Sequence, residues 1–425
     1  MTMDLARLWH ALAGQQPDRP ALIHGTRTLS WRQFDDAAAG FADTLRRSGV
    51  RRGEIVALCL PNAPEYLICV AGAMRCGAIP CGISPRLGPE ELAALLRRIE
   101  PAVVCYDVAD VADVAQAGCQ LPMVRHWYAI EGDTLTAGFA RLALNDNPRQ
   151  SWFDSWPDDV LLLPRCTGRA SGNLNAVRWR ISDLLTQVYT PSSWRRYRSE
   201  GHEAPAPAVH PPIRLLLASP LVHAAGLTRA VAALSAGGAV ITLPGSVFDP
   251  ELLLDTLVHQ QATDLAITGD VHARAFTDAL DAEPNRWHLG QLSIITSSGT
   301  AWSHDTKRRV LDHQSHLRLL ESVDSTEVPA LGFSVAMTGS VPPTGEFTLG
   351  RHARVFSEGR PARPGDVGEI GVSWPHPTGL HPSGQLPAGR FVHHGGAYCL
   401  LSGDQVQMIG PRRFLLLGPV RELNA

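Results

Sequence analysis

Residues 160–177 read VLLLPRCTGRASGNLNAV: a short apolar run, a loop carrying glycine and hydroxyl side chains, then a segment that reads as a helix. A buried strand leading into Thr167, Gly168, Ser171 and Gly172 is a common way to present backbone N–H groups to a phosphate. The loop holds no lysine. Asn175 stands where such a loop ordinarily carries a cation, so the segment has the shape of an anion cradle without its usual charge.

On the N-terminal side, Ser30-Trp31-Arg32-Gln33 fits a capping box, and Phe34, Ala38, Phe41 and Leu45 then share one helical face before Gly49. Residues 55–60, IVALCL, read as a buried strand. The turn Pro61-Asn62-Ala63-Pro64 opens an apolar helix over 65–74 that belongs between layers. A strand near 77–80, a proline-headed helix over 89–98 and a strand over 102–106 follow. On the C-terminal side a helix is expected over 182–188. Residues 191–212 then break all periodicity and read as an exposed excursion. Strands at 214–218, 239–243, 265–268 and 292–296 alternate with helices at 225–236 and 250–261. This alternation predicts a parallel sheet covered on both faces, with ligands at the carboxyl ends of its strands.

From about residue 339 the texture changes to short β-prone pieces, 346–349, 353–356, 369–373, 405–409 and 413–417, separated by Gly/Pro turns. The organisation expected is α/β: a first parallel-sheet subdomain over 1–157, a second over 158–338 containing the phosphate-loop-like segment 164–177, and a small β-barrel-like module over 339–425.

At 425 residues with 44% hydrophobic and 19% charged side chains and a formal charge of −3, the chain can bury a large core and lacks the field of a polyanion binder. Nucleic acid is therefore not an expected partner. No apolar run reaches the roughly 18 residues a membrane span needs, and the N-terminus MTMDLARLWHALAG is not a signal peptide; a cytoplasmic location is expected. The eight cysteines show no C-x-x-C spacing, which argues against a zinc site or a disulfide framework. Of the 38 Lys+Arg only Lys307 is lysine, and DTKRRVLDH around it reads as an exposed helix.

The wording of these pieces resembles the adenylate-forming superfamily: acyl- and aryl-CoA synthetases, peptide-synthetase adenylation domains and luciferases. The resemblance is carried by residues 29–67, by MRCGAIPCGISP at 74–85, by SPLVHAAGL at 219–227, by PARPGDVGEIGV at 361–372 and by Ser402-Gly403-Asp404. It implies two α/β subdomains, a small β-barrel and a mobile C-terminal domain; this last is expected to be absent, since the sequence stops three residues past the hinge position at Glu422.

The same resemblance implies site roles. Thr326 and Glu327 match a family Thr-Glu pair, a hydroxyl for the phosphate and a carboxylate for Mg²⁺, while Val323 and Asp324 replace the preceding Tyr-Gly. Asp404 matches the carboxylate that accepts the ribose hydroxyls, or is an ordinary turn aspartate. Ser298, Gly299 and Thr300 replace the segment beside the adenine and the acyl group, with Trp302 next to it. His223 falls on a pocket-lining histidine of the acyl site. Arg421 is a stand-in for a hinge arginine that is Pro419 here. In the segment 167–177 the family lysine-glycine is Asn175-Ala176, one residue later. His393-His394 beside Gly395-Gly396 reads as a surface turn rather than a metal site.

Carboxylate adenylation needs the α-phosphate in line with the attacking carboxylate, a metal on the phosphates and cations for the departing pyrophosphate. Losing one preorganised stabiliser costs about 10² to 10³ in rate. The expectation is a divergent ligase-type protein that binds or activates a small aryl or acyl carboxylate with ATP or AMP and possible Mg²⁺, with impaired adenylation. The alternatives are a non-catalytic nucleotide- or acyl-binding regulatory subunit, and altered acyl chemistry without ATP. A carrier protein, or a partner supplying the missing domain, is the expected protein contact; zinc, flavin and nicotinamide are not expected.

Overall fold

The computed structural model describes residues 5–118, 121–130, 160–164, 176–184, 212–245, 247–328, 330–373, 376–381 and 390–419. The segment 165–175, with Thr167, Gly168, Ser171, Gly172 and Asn175, lies outside these residues, as do Arg421 and most of the excursion 191–212. The chain forms two compact units. The first comprises residues 1–212, 220–246 and 378–385, and the second residues 213–219, 247–377 and 386–425.

In the first unit the capping box forms as read. Ser30 Oγ accepts the Gln33 N–H at 3.2 Å and Gln33 Oε1 accepts the Ser30 N–H at 2.8 Å, which starts the helix Trp31–Arg47. Its apolar face packs on the helix Pro64–Arg75, every residue of which is buried. Two polar members of that helix are neutralised there: Glu65 pairs with Arg27 at 2.6 Å, and Arg75 with Asp35 at 2.8 Å. The strands Ile55–Cys59, Ile79–Gly82, Val103–Asp107 and His126–Ile130 make a parallel sheet that Val160–Pro164 extends, also in parallel.

The segment after the loop differs from its reading. Ala176–Arg180 is a strand, paired antiparallel to Val160–Pro164 in the register Pro164↔Ala176, and helix is confined to Ile181–Leu184 within the described residues. Its pattern is period two: Ala176 with Val177 and then Trp179 are buried, whereas Arg178 is half-buried and Arg180 exposed. A bulky aromatic and a β-branched residue between arginines fit a half-buried strand edge better than a helix face. Thus 160–164 and 176–180 are the two arms of a hairpin rather than a strand and a helix.

In the second unit Arg214–Leu217, Asp264–Ile267, Ile294–Ser298 and Arg318–Val323 are parallel neighbours in that order. Gly332–Ala336 then reverses direction, and Glu346–Leu349, Arg413–Pro419, Ala397–Met408, Val367–Val372 and Ala353–Ser357 continue antiparallel. The strand-rich texture expected beyond residue 339 is present. Among the described residues its pairings follow an open order, continuous with the parallel strands. Val328, Leu331, Phe347, Ile370, Leu400, Val406 and Phe414 fill its core.

A second correction concerns Lys307. The helix His304–His313 forms, with Ser303 as its cap, but Lys307 is buried rather than exposed. It shares its face with Thr306, Val310 and Leu311, and its ammonium meets Glu321 Oε2 at 2.5 Å on the strand Arg318–Val323. Helical periodicity placed the residue on the inner face; the carboxylate from a strand distant in sequence makes burial of the charge tolerable. The six described cysteines are buried, none of them in a disulfide. No described helix is long and apolar enough to cross a membrane.

Candidate nucleotide site

The parallel strands Ile294–Ser298 and Arg318–Val323 run side by side with Ser298 opposite Ser322. Their carboxyl ends therefore release two loops next to each other, Gly299–Ser303 and Asp324–Ala330. All the candidate residues of the second unit except Asp404 and Arg421 fall on these two loops or at their roots.

Gly299 has φ 91°, a left-handed conformation that a side chain would strain, and it turns the chain out of the strand. Thr300 follows, and Trp302 is wholly buried, so the indole is core. The Trp302 N–H donates to Glu321 Oε1 at 2.9 Å. One carboxylate thus ties the base of the first loop, while Lys307 holds its other oxygen.

The second loop closes on itself. Ser325 and Val328 exchange backbone hydrogen bonds at 3.0 and 3.2 Å, and the Ala330 N–H donates to Asp324 Oδ1 at 2.6 Å. Asp324, expected at the nucleotide, is therefore also a turn-closing acceptor. Thr326 and Glu327 sit within the Ser325–Val328 turn, with Glu327 buried and Thr326 half-buried.

Glu327 faces the third segment. Arg390 Nη1 lies 3.4 Å from Glu327 Oε1, and Nη2 of the same guanidinium donates to the carbonyls of Leu401 at 2.8 Å and Ser402 at 2.6 Å. Those carbonyls immediately precede Gly403 and Asp404. The Gly403 N–H donates to Glu369 Oε1 at 2.8 Å, and the Asp404 N–H to Ser402 Oγ at 3.0 Å. Burial pushes the Asp404 carboxyl above the usual aspartate range, with repulsion from Glu327 adding to it, against a hydrogen bond from Ser402 and the attraction of Arg390. Glu369 is raised mainly by burial as well, opposed by the Gly403 N–H and Arg390.

One guanidinium thus links Glu327 to the backbone immediately before Asp404, whose carboxyl lies within its electrostatic reach. Arg390 was not legible from the sequence, because PAGRF carries no motif and its partners lie 63, 11 and 12 positions away. Glu369 belongs to the segment 361–372 that carried the resemblance, yet only the hydrogen bond to Gly403 reveals its place.

The donor set fits Mg²⁺ poorly. Such an ion takes oxygen ligands at about 2.0–2.1 Å in octahedral geometry and keeps several waters. Here the carboxylate assigned to it faces a guanidinium at 3.4 Å.

His223 belongs to the first unit. It precedes the helix Ala224–Ser235 and is half-buried; burial, then the charge of Arg86, lowers its pKa below the ordinary histidine value. Its imidazole is therefore neutral at neutral pH and able to accept or donate a hydrogen bond. Nearby, the Leu221 N–H donates to Asn62 Oδ1 at 2.7 Å, fixing the start of the 219–227 segment on the turn before the helix Pro64–Arg75. His393 and His394 end a strand and face Tyr398 and Ala397 across a hairpin whose turn is Gly395-Gly396, both histidines exposed.

Three comparisons bear on this geometry. A family model described as AMP-binding enzyme matches residues 9–378. A medium/long-chain-fatty-acid–CoA/3-oxocholest-4-en-26-oate–CoA ligase of Mycolicibacterium smegmatis is 24% identical, the match covering 98% of this chain and 78% of that one. Novobiocin biosynthesis protein H of Streptomyces niveus is 26% identical over 87% of this chain and 57% of its own. Among solved structures, the anthranilate CoA ligase AuaEII in complex with anthranoyl-AMP superposes with a TM-score of 0.79 at 15% identity, over 99% of this chain and 78% of that one. The inhibitor-bound N-terminal domain of FACL13 from Mycobacterium tuberculosis gives 0.78 at 18% identity, over 98% and 99%.

Proposed function

Since the chain belongs to the AMP-binding enzyme family, the adenylate-forming acyl- and aryl-CoA ligases, we propose that it binds an adenine nucleotide together with a small acyl or aryl carboxylate and adenylates that carboxylate weakly. The observation that supports this reading is that Arg390 ties Glu327, in the Thr326 turn, to the Leu401 and Ser402 carbonyls just before Asp404 on the strand Ala397–Met408. In this reading Asp404 accepts the ribose hydroxyls, Thr326 donates its hydroxyl to the α-phosphate, and Ser298, Gly299 and Thr300 border the adenine. His223 contacts the acyl group.

Weak adenylation follows from charge. Departing pyrophosphate needs preorganised cations, and this sequence offers Asn175 and Ala176 in place of lysine and glycine. Hydrogen bonding by neutral donors still contributes to binding, each bond to a charged group being worth about 1.5–3 kcal/mol. A binding or regulatory role without turnover is the second reading, favoured by the guanidinium on Glu327. Carboxylate-dependent ATP–pyrophosphate exchange, run beside calorimetry with AMP, separates them. Exchange above background over an acid panel supports the ligase reading, and binding without exchange supports the second. Neither binding nor exchange refutes both.

A further inference from the structure

The Arg390 side chain is 22% exposed and that of Glu327 5%. The two terminal nitrogens of Arg390 differ in their contacts. Nη2 is committed to the Leu401 and Ser402 carbonyls at ordinary hydrogen-bond lengths, so the head group is fixed in place. Nη1 reaches Glu327 only at 3.4 Å, a loose contact that leaves its donors able to serve an incoming oxyanion. A guanidinium held in this way is a preformed phosphate receptor, since its planar fork matches phosphate oxygens and it is always charged.

The same placement works against a metal. An ion arriving on the phosphates would meet a fixed positive charge beside Glu327 and be repelled by it. The cluster around Arg390 is otherwise anionic, with Glu327, Glu369 and Asp404 all within its electrostatic reach. One guanidinium matches the single charge of an acylated AMP and offsets part of the roughly two charges of free AMP. It falls further short of a triphosphate, which without its metal would meet the carboxylates directly.

We propose that Arg390 replaces the divalent ion at Glu327 and makes this site selective for an adenosine 5′-monophosphate ester, free or acylated at the phosphate, over a metal-bound triphosphate. This rests on the nucleotide reading above and names its ligand class. An acyl adenylate arriving from a separate activating reaction would suit the site without any cation beyond Arg390.

The test is isothermal calorimetry on the full chain with AMP and with α,β-methylene-ATP, each in excess Mg²⁺ and in EDTA. The expected result is AMP affinity equal within about twofold in the two media, and triphosphate affinity at least about tenfold weaker in both. Arg390→Met should weaken AMP at least about tenfold and Arg390→Lys less, with thermal melting used to verify that each variant is folded. Wild-type protein that binds the Mg²⁺-loaded triphosphate as tightly as AMP overturns the proposal whatever the variants do. So does a folded Arg390→Met that keeps AMP affinity within about twofold. Failure of the folded wild type to bind either nucleotide is a different pattern; it removes the nucleotide reading and this inference with it.

Discussion

Lys307 Nζ lies 2.5 Å from Glu321 Oε2 with both side chains buried, while the other oxygen of that carboxylate accepts the Trp302 N–H. The only lysine of the chain is thus the counter-charge of a carboxylate that fixes the root of the Gly299–Ser303 loop. Removing one partner of a buried pair strands the other, at a cost of about 3–5 kcal/mol, whereas replacing both can be nearly neutral. Lys307→Met should therefore lower the urea unfolding midpoint strongly, and Lys307→Met with Glu321→Gln should recover most of the loss, because glutamine still accepts the Trp302 N–H. Additive destabilisation in the double variant would show that the two groups do not act as a pair.

Gly350 and Ala330 form a second coupled position. A Cβ on Gly350 would stand 1.9 Å from the Ala330 carbonyl oxygen, and Ala330 itself has φ 56°. Gly350→Ala is expected to destabilise by about 3 kcal/mol or more, since the obstacle is backbone. Ala330→Gly should raise or leave unchanged the melting temperature, because glycine relieves a left-handed strain of about 1 kcal/mol. The two substitutions should thus never shift the melting temperature in the same direction.

Asp404 gives a pH signature. In the proposed role of ribose acceptor it would serve best when ionised, and its carboxyl is raised by burial. AMP affinity should fall on acidification at a pH above the range in which an exposed aspartate, near about 4, takes up its proton. The effect on stability has the opposite sign. A carboxyl that binds its proton more tightly when folded favours the folded state as pH drops through its raised folded pKa. Asp404→Asn should weaken AMP binding at pH 7 and flatten its dependence on pH; a wild-type affinity constant down to pH 4 would refute the ribose role.

His223 titrates the other way. Its folded pKa is below the ordinary 6.5, so on acidification the unfolded chain takes up the proton first. The stability it contributes is intact above about pH 6.5 and is lost as pH falls from there through the lowered folded value. Substitution by asparagine should reduce the slope of the urea midpoint against pH in that range and leave the midpoint at pH 8 with little dependence on this group. An unchanged slope would mean that His223 is protonated in both states alike.

Much of the fold was legible because local signals agreed with tertiary placement. The Ser30–Gln33 box, the wholly buried helix Pro64–Arg75 and the parallel strands of both units follow from caps, turns and apolar runs. The misreadings share one feature: the deciding neighbour lies on an adjoining element rather than within the segment itself. Ala176–Arg180 becomes a strand through the register offered by Val160–Pro164, and Lys307 is buried because Glu321 meets it. The site was legible to the same limit. Thr326, Glu327 and Asp404 came from the resemblance, whereas Arg390 acquires its meaning only where Glu327, Leu401 and Ser402 surround it.

The pairing of Lys307 has a further use as a clock. A folded chain whose single lysine side chain is buried and bound offers amine-directed reagents no lysine at its surface. Acylation of Lys307 by a small ester should then proceed only as fast as the second unit opens, since the reagent needs the free amine. The modified fraction read by mass spectrometry over time should rise steeply with temperature, as unfolding does, and should rise faster in Glu321→Gln. With its own single lysine as the reporting group, the chain carries a record of how often this part of the molecule comes apart.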